Sequence, residues 1–221
     1  MARLTRKQKH SILGAVLLLV LVLAVICLRQ IYQANREPEP LPLSRDYDQA
    51  ILSEPTATVE QAMKWARRQG AADEFVQLAP VFWAAGEATG VNPVIGYAQS
   101  FLETGGFNWQ GVVDGSYHNP AGLKTTEGGG DYESSAHMRF ASWEEGIRAQ
   151  FEHLALYAGA EGYPLQDPVD PRHFDWLLGT GPTVGTMAAS WATAGHYADT
   201  LTELIDRIEN EWVKIGGTWR N

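Results

Sequence analysis

The chain has 221 residues, of which 45% are hydrophobic and 19% are charged, and 26 acidic side chains outnumber 17 Lys and Arg. Every acidic residue lies beyond residue 36, so the part from Glu37 onwards carries 11 bases against 26 acids, a formal charge of −15. Such a surface argues against nucleic acid or anionic lipid as a binding partner, because both would repel it. The single cysteine, Cys27, excludes an intrachain disulfide or a zinc–cysteine site.

The N-terminal segment predicts a membrane-spanning helix. Residues 12–28 are uncharged and mainly apolar, and as a helix they would extend about 26 Å, close to a hydrocarbon core of roughly 30 Å. Four basic residues precede this run, which indicates a cytoplasmic N terminus and an extracellular remainder. A cleaved signal peptide is the alternative, but the run is longer than an ordinary h-region and lacks an Ala-x-Ala exit. We therefore expect a basic cytoplasmic tail over 1–10 and an uncleaved transmembrane helix over 11–30.

A proline-rich segment follows the apolar run. Residues 37–43 read Glu-Pro-Glu-Pro-Leu-Pro-Leu, a composition typical of an extended, semi-rigid spacer. We expect an extracellular linker over 31–55 and one folded domain over 56–221. A domain of that length can bury a sizeable core.

The helical period dominates the expected domain, which is therefore mainly α. Glycine and polar residues are abundant over 104–141, which predicts a long loop lobe with one small, irregular β-hairpin. Capping residues and apolar periodicity predict helices, in chain order, over 58–68, 73–88, 92–103, 142–159, 170–177, 183–191 and 196–213.

Glu103 ends one of these helices at a place where an acid is electrostatically disfavoured. Asn92 suits the N-cap of this helix, and Gly105 supplies a left-handed stop. The helix dipole is negative at this end, so the pKa of Glu103 should be raised wherever water is scarce. A raised carboxyl pKa is what a general acid needs. A solvated glutamate at a helix end is the alternative interpretation.

The loop that follows Glu103 is longer than compact domains usually carry without a functional reason. Flat aromatic rings suit stacking on pyranose faces, although packing in the core is the alternative for any single ring. Trp109 is the candidate substrate-binding ring among the six aromatic residues that cluster here: Phe107, Trp109, Tyr117, Tyr132, Phe140 and Trp143. The pattern favours a site beside Glu103 where rings stack on sugars or on other ligands.

Several motifs, in this order along the chain, resemble the glucosaminidase branch of the lysozyme-like superfamily, which comprises bacterial cell-wall hydrolases. They are Glu103-Thr-Gly at the helix end, Asn119-Pro-Ala-Gly-Leu-Lys124, Gly128-Gly-Gly-Asp131, His137-Met-Arg-Phe140, Ser142-Trp-Glu-Glu-Gly146, and Trp191-Ala-Thr followed by Tyr197-Ala. The resemblance covers roughly residues 60–209. It implies a lysozyme-like helical domain and an endo-β-N-acetylglucosaminidase that cleaves peptidoglycan strands after N-acetylglucosamine, with no cofactor.

The resemblance also implies roles for single residues. Glu103 matches the catalytic acid, which protonates the glycosidic oxygen while an oxocarbenium-like sugar forms. Asn119 and Gly122 match a loop whose amide and backbone approach the sugar, and Tyr197 matches an aromatic position near the acid. Many relatives have tyrosine where this chain has Trp191, which offers no phenolic hydroxyl. Asn119, Gly122, Trp191 and Tyr197 are therefore substrate-binding candidates.

The motifs do not identify the second catalytic group. Asp131 and Glu133 both lie in the loop opposite Glu103, and either could activate water, or the 2-acetamido group of the substrate could assist instead. Asp131 is slightly preferred, because the glycines before it let the backbone approach a ligand. Two solvated loop acids are the alternative. A metal site drawn from His118, Asp131 and His137 lacks any recognised ligand spacing, so no metal is expected.

The sequence thus favours a membrane-tethered glucosaminidase whose partners are the membrane and peptidoglycan strands. A lysozyme or lytic transglycosylase of the same superfamily is the first alternative, because these enzymes share the helix-terminal glutamate. A wall-binding module without activity is the second.

Overall fold

The structure, a computed structural model, describes residues 6–39, 46–192 and 195–220. The chain divides into two compact units, Met1–Glu39 and Pro40–Asn221. The first unit is one helix, α1 (Arg6–Asn35). Its stretch Leu17–Asn35 has a mean hydropathy of 2.1 and is long enough to cross a membrane. Such a helix near the N terminus suits either a secretion signal or an anchor.

The predicted tail and linker fall partly on residues that the structure describes. Residues 1–5 of the tail and 40–45 of the linker lie outside the described residues. Residues 31–35, assigned to the linker from the sequence, are helical and belong to α1. The apolar helix is therefore longer at its C-terminal end than the prediction of 11–30.

The second unit is mainly helical, as predicted. Short 3₁₀ helices lie at Gly115–Tyr117, Ser134–Ala136 and Asp175–Leu177. The α-helices and strands are α2 (Val59–Arg68), α3 (Asp73–Gln77), α4 (Ala79–Thr89), α5 (Pro93–Thr104), α6 (Trp143–Ala158), α7 (Val184–Trp191), α8 (Tyr197–Glu209), β1 (Val213–Ile215) and β2 (Thr218–Arg220).

Local capping explains most of the helix boundaries. Thr58 and Gln61 form the expected capping box of α2, and the Ser142 side chain accepts the N–H of Glu145 at the start of α6. Three helices end at a glycine with left-handed backbone, a conformation that costs other residues more. These glycines are Gly90 after α4, Gly105 after α5 and Gly159 after α6.

The helix predicted over 73–88 is wrong, because the chain forms two helices there, α3 and α4, that meet at Leu78. Pro80 lies in the first turn of α4. Proline is tolerated in a first turn, where its missing N–H would have no partner, but not in the middle of a helix. The proline therefore starts a second helix instead of bending one.

The helix predicted over 170–177 is also wrong, since only Asp175–Leu177 forms a single 3₁₀ turn. The Asp170 side chain accepts the N–H of Arg172 at 2.8 Å, a local turn that competes with helix formation.

The β-hairpin lies at the C terminus and not in the loop lobe, which we define as residues 105–141. The lobe holds one antiparallel bridge between Lys124 and His137. Strands β1 and β2 pair antiparallel after α8, so the helix predicted to reach Val213 ends earlier. Gly216 and Gly217 form the turn with φ of 57° and 83°, values that glycine adopts freely.

The core brings α5 and α6 into close contact. A side-chain carbon at Gly96 would lie only 2.5 Å from the Phe151 ring, so glycine is required for α6 to pack against α5. Tyr97 on the same helix stacks on Phe75 with ring centroids 4.4 Å apart and meets Phe82 edge-on at 5.1 Å. This packing holds α5 rigidly, and with it Glu103 in its last turn.

Packed structure begins before residue 56. Ile51 is fully buried, its N–H donates to the carbonyl of Pro182, and its carbonyl accepts the N–H of Asn92. Part of the stretch assigned to the linker therefore belongs to the folded unit and supports the start of α5.

Candidate active site

A cleft of about 740 Å³ separates the helices from the loop lobe. This volume lies within the range of roughly 300–1,000 Å³ that small-ligand sites occupy. One side, which we call the helical wall, comprises Glu103, His153, Tyr157, Trp191 and Tyr197. The loop lobe supplies the other side, chiefly Trp109, the stretch 119–124 without Pro120, Asp131 and His137.

Three helices meet at the Glu103 carboxylate. Its Oε1 accepts the indole N–H of Trp191 at 2.9 Å and the hydroxyl of Tyr197 at 2.5 Å. Glu103 lies in the last turn of α5, Trp191 ends α7, and Tyr197 begins α8. Both substrate-binding candidates therefore contact the acid itself, and the tryptophan donates through its indole where a tyrosine would use a hydroxyl.

Burial raises the pKa of Glu103, while the hydrogen bonds from Tyr197 and Trp191 oppose the rise and are weaker than it. The direction is the one expected from the sequence, but desolvation and not the helix dipole is the leading cause. Glu103 still presents an exposed surface to the open cleft. Because this side of the carboxyl is open to solvent, we expect solvent screening to limit the rise in pKa, and a ligand that covers the carboxyl to increase it.

A buried chain of amides supports Tyr197. Burial and the Glu103 carboxylate raise the pKa of Tyr197 well above its usual value, whereas a hydrogen bond with Gln99 lowers it. The phenol is therefore protonated and can donate to Glu103. Gln99 is fully buried one turn before Glu103, and its Oε1 accepts from Gln150 Nε2 at 2.9 Å. Gln150 also donates to the carbonyl of Gly96 at 3.0 Å, so α5 and α6 jointly orient the pair.

A buried imidazole and carboxylate support the wall at Trp191. The His153 ring meets the Trp191 ring edge-on with centroids 5.4 Å apart. His153 Nδ1 lies 2.7 Å from Oδ2 of Asp170, which is buried, and the N–H of Asp170 donates to Glu152. No role was predicted for His153 from the sequence. No sequence pattern indicates that it lies on the cleft, because the residues that it contacts there, Asp170 and Trp191, are distant along the chain.

Asn119 and Gly122 both line the cleft but differ in what they offer. Asn119 is fully buried, and its amide exchanges hydrogen bonds with both backbone groups of Leu123 and donates to the carbonyl of Met138. These bonds shape the loop. Gly122 has a φ of 62° and no side-chain carbon, so the backbone of the loop faces the cleft directly.

The two candidate loop carboxylates lie in different places. Asp131 lines the cleft with its side chain 84% exposed and 2.6 Å from Lys124 Nζ. The hydrogen bond and the charge of Lys124 hold the pKa of Asp131 below its usual value. Glu133 is exposed in the same lobe, but it is not among the described residues that line the cleft.

Trp109 lines the cleft, whereas the other five loop aromatics are not among the described residues that line it. Its ring stacks on Phe107 with centroids 5.0 Å apart, and Phe107 in turn stacks on Trp143 at 4.3 Å. This stack gives Trp109 a fixed, half-exposed position. Phe107, Tyr117, Phe140 and Trp143 are buried, and Tyr132 is exposed away from the cleft lining.

The two histidines considered as metal ligands bond to backbone carbonyls. His118 Nδ1 lies 3.0 Å from the oxygen of Phe140, and His137 Nδ1 lies 3.0 Å from that of Glu133. Within residues 6–39, 46–192 and 195–220, no group of three or more His, Cys, Asp or Glu residues has a metal-binding arrangement.

One known protein is similar to this chain in sequence, and one solved structure aligns with it. A protein of Borreliella burgdorferi, described as uncharacterized, is 32% identical over 116 residues, which cover 52% of this chain and 54% of that protein. The chain thus matches about half the length of that relative. A crystal structure of a catalytic mutant of S. aureus autolysin E, in complex with the disaccharide NAG-NAM, aligns with a TM-score of 0.45 and 15% identity. The alignment covers 81% of this chain and 77% of that one.

The family model that matches is described as Glucosaminidase, mannosyl-glycoprotein endo-beta-N-acetylglucosaminidase. The match covers residues 79–210, more than half of the chain. That range contains Glu103 and both side chains that donate to it, Trp191 and Tyr197. The chain therefore belongs to the glucosaminidase family of glycoside hydrolases.

Proposed function

We propose that this protein is a membrane-anchored endo-β-N-acetylglucosaminidase that cleaves β-1,4 bonds after N-acetylglucosamine in peptidoglycan. Glu103 is the general acid. The observation that carries the proposal is the geometry of Glu103, whose carboxyl faces an open cleft, has a raised pKa, and meets two neutral donors within 2.9 Å. A carboxyl with a raised pKa keeps its proton to higher pH than an ordinary glutamate does and can release it to a substrate oxygen.

The helical wall performs the first half of the reaction. Glu103 transfers its proton to the glycosidic oxygen as the bond from C1 to that oxygen breaks, and positive charge spreads over C1 and the ring oxygen. The carboxylate that results is stabilised by the N–H of Trp191 and the hydroxyl of Tyr197. Both donors already point at the carboxylate, so little reorganisation accompanies the transfer.

The loop lobe performs the second half. Asp131 is ionised, since Lys124 lowers its pKa, and it lines the same cleft as Glu103. It accepts a proton from the water that attacks C1, and the product is a new reducing end. Glu133 does not line the cleft, and we assign it no role in the reaction. Assistance by the 2-acetamido group of the substrate remains the competing route, and it needs no second carboxylate.

The N-terminal helix anchors this activity at the outer face of the cell membrane. The apolar stretch of α1 is long enough to span, and four basic residues near the N terminus favour a cytoplasmic start. The chain then has a cytoplasmic tail over 1–10, a membrane helix within 11–35, a short linker, and an extracellular catalytic domain. If the helix is instead a cleaved signal, the mature protein will appear in the medium without its first residues.

The full-length chain in detergent tests the catalytic assignment directly. Digestion of purified cell walls should release fragments with reducing N-acetylglucosamine, identified by mass spectrometry. Glu103→Gln should reduce kcat by about 10²- to 10⁴-fold, because that is the usual contribution of a general acid. Glu87→Gln is the matched control, since Glu87 is an exposed glutamate of α4 outside the cleft lining.

Products other than reducing N-acetylglucosamine would identify a different class of protein. Reducing N-acetylmuramic acid would identify a muramidase, and an anhydro end would identify a lytic transglycosylase. Binding to the walls without any cleavage by the wild-type protein would identify a wall-binding module. An unchanged rate in Glu103→Gln would remove Glu103 from the mechanism.

A further inference from the structure

One tryptophan differs from the rest in its exposure. All eight tryptophans lie in the described part of the chain, and only Trp176 is exposed, at 71% of its surface. Single exposed apolar side chains are ordinary on protein surfaces. Trp176 is different because it lines the cleft that contains Glu103. A large flat ring therefore faces solvent inside the candidate active site.

The indole of Trp176 is held in place by a short stack of side chains. It lies nearly parallel to the Phe174 ring, with an angle of 12° and centroids 6.0 Å apart. The guanidinium of Arg172 lies 4.6 Å from the centroid of Phe174. The next residue, Leu177, is buried and fixes the backbone at this point. The ring is thus supported in an exposed position and does not fold onto the core.

The segment that carries Trp176 is tied to α6, a mostly buried helix. The N–H of Gly179 donates to the carbonyl of Leu156 at 3.0 Å, and the N–H of Gly181 donates to that of Tyr157 at 2.8 Å. At the other end of the segment, Asp170 lies against His153 of the same helix. Two attachments to one helix make this part of the cleft rigid, which suits a preorganised binding surface.

We propose that Trp176 forms a stacking subsite for an N-acetylated pyranose ring of the glycan strand, away from the bond cleaved at Glu103. The inference rests on the proposed function and names one of its binding sites. The electron-rich indole face attracts the C–H face of a pyranose, which carries partial positive charge, and the contact also removes apolar surface from water. Trp176 and Glu103 come from different segments of the chain but line one cleft. A polymer that lies along this cleft contacts both.

Such a subsite increases the rate only with substrates long enough to reach it. Binding energy from sugars remote from the reacting bond can be used to orient and distort the sugar at that bond. We therefore expect Trp176→Ala in the full-length protein to lower kcat/KM for long peptidoglycan strands by about tenfold, the factor that corresponds to roughly 1.4 kcal/mol. For the shortest strand that the wild-type protein cleaves, Trp176→Ala should lower kcat/KM by less than about twofold.

Two further variants separate stacking from structural damage. Trp176→Tyr keeps an aromatic face and should recover most of the loss. Trp219→Ala removes a half-buried tryptophan of β2 that does not line the cleft, and it should behave as the wild type at every strand length. Equal losses at all lengths, or a loss that tyrosine does not restore, would overturn the subsite.

A binding measurement distinguishes failure of the subsite from failure of the proposed function. In the Glu103→Gln background, titration with a hexamer of β-1,4-linked N-acetylglucosamine should change the intrinsic fluorescence, and Trp176→Ala should weaken the apparent Kd about tenfold. If the wild type cleaves no walls but this dependence on Trp176 is present, the subsite is supported and the proposed reaction fails. If walls are cleaved and neither rate nor Kd depends on Trp176, the subsite alone is overturned.

Discussion

The two sides of the cleft hold carboxyl groups in opposite surroundings. On the helical wall, Glu103 accepts from an indole and a phenol, both neutral, and burial raises its pKa. On the loop lobe, Asp131 is exposed and pairs with the cation Lys124, which lowers its pKa. The same functional group is thus protonated more readily on one side and ionised more readily on the other.

One cleft can therefore contain both an acid and a base at a single pH. Environments that push two pKa values apart allow the two carboxyl groups to take opposite roles. The two carboxyl groups also differ in the residues that hold them in place. Glu103 is backed by a chain of buried amides that begins at Gln99 and Gln150, whereas Asp131 depends on one exposed ion pair.

The largest expected effect in this comparison is the loss of the charge at Asp131. Asp131→Asn preserves size, and we expect kcat to fall by about 10²-fold because the attacking water loses its base, with little change in KM. Steady-state kinetics on cell-wall fragments measures this fall. Glu133→Gln is the matched control, since it neutralises an exposed acid of the same lobe that does not line the cleft. A normal rate in Asp131→Asn would assign the second step to the 2-acetamido group of the substrate.

The next prediction concerns the helical wall and includes a shift of the pH profile of activity in a stated direction. Tyr197→Phe removes one donor to Glu103, and the loss of a hydrogen bond to a charged group, about 1.5–3 kcal/mol, should lower kcat by roughly 10- to 100-fold. Glu103 must be protonated to act, so activity is lost as pH rises through its pKa. Tyr197 lowers that pKa, so its removal raises the pKa and moves the alkaline limb of kcat/KM to higher pH.

The acidic limb offers a control within the same pH profile. It reports the ionisation of Asp131, which does not contact Tyr197, and should keep its position in Tyr197→Phe. Tyr132→Phe removes a hydroxyl from an exposed tyrosine outside the cleft lining and should leave the whole profile unchanged. A shift of the alkaline limb to lower pH would contradict the role assigned to the phenol.

The sequence predicted those parts of the wall that depend on neighbouring residues. The N-cap at Asn92 and the left-handed Gly105 are local signals, and they place Glu103 at a helix end as the structure has it. The reason for its raised pKa was not accessible, because burial and hydrogen bonding come from residues 88 and 94 positions away. The family resemblance identified Trp191 and Tyr197 as substrate-binding candidates and placed Tyr197 near the acid, but their hydrogen bonds to Glu103 were not predicted.

Prediction from the sequence was least accurate where local structural signals compete. The helix predicted over 73–88 runs through Pro80, which in the structure lies in the first turn of α4. The stretch 170–177 was predicted to be a helix, and Trp176 was therefore not recognised as a ligand-facing residue. Its exposure depends on how Leu177 and the following glycines attach to α6. Aromatic clustering predicted stacking rings in the loop after Glu103, where most of the rings are buried.

The smallest expected effect tests whether the amide chain behind the wall acts through Tyr197. Gln99→Met preserves shape and removes the amide, so the phenol loses a partner that lowers its pKa and becomes a weaker donor to Glu103. We expect kcat to fall by about three- to tenfold, in line with one neutral hydrogen bond, with KM unchanged. The alkaline limb should move to higher pH, as in Tyr197→Phe but by less. Gln77→Met, an exposed glutamine of α3, is the control.

A double-mutant cycle separates this positioning role from general damage to the core. If Gln99 acts through the phenol, its substitution should cost nothing further in kcat once Tyr197→Phe is present, because residues in one hydrogen-bond network are not additive. Losses that add fully, or a fall in kcat that follows a lower thermal unfolding temperature and leaves the alkaline limb in place, would reduce Gln99 to a packing residue. Rigidity of the wall would then come from the apolar contacts of α5 and α6, in which the Phe151 ring packs directly against Gly96.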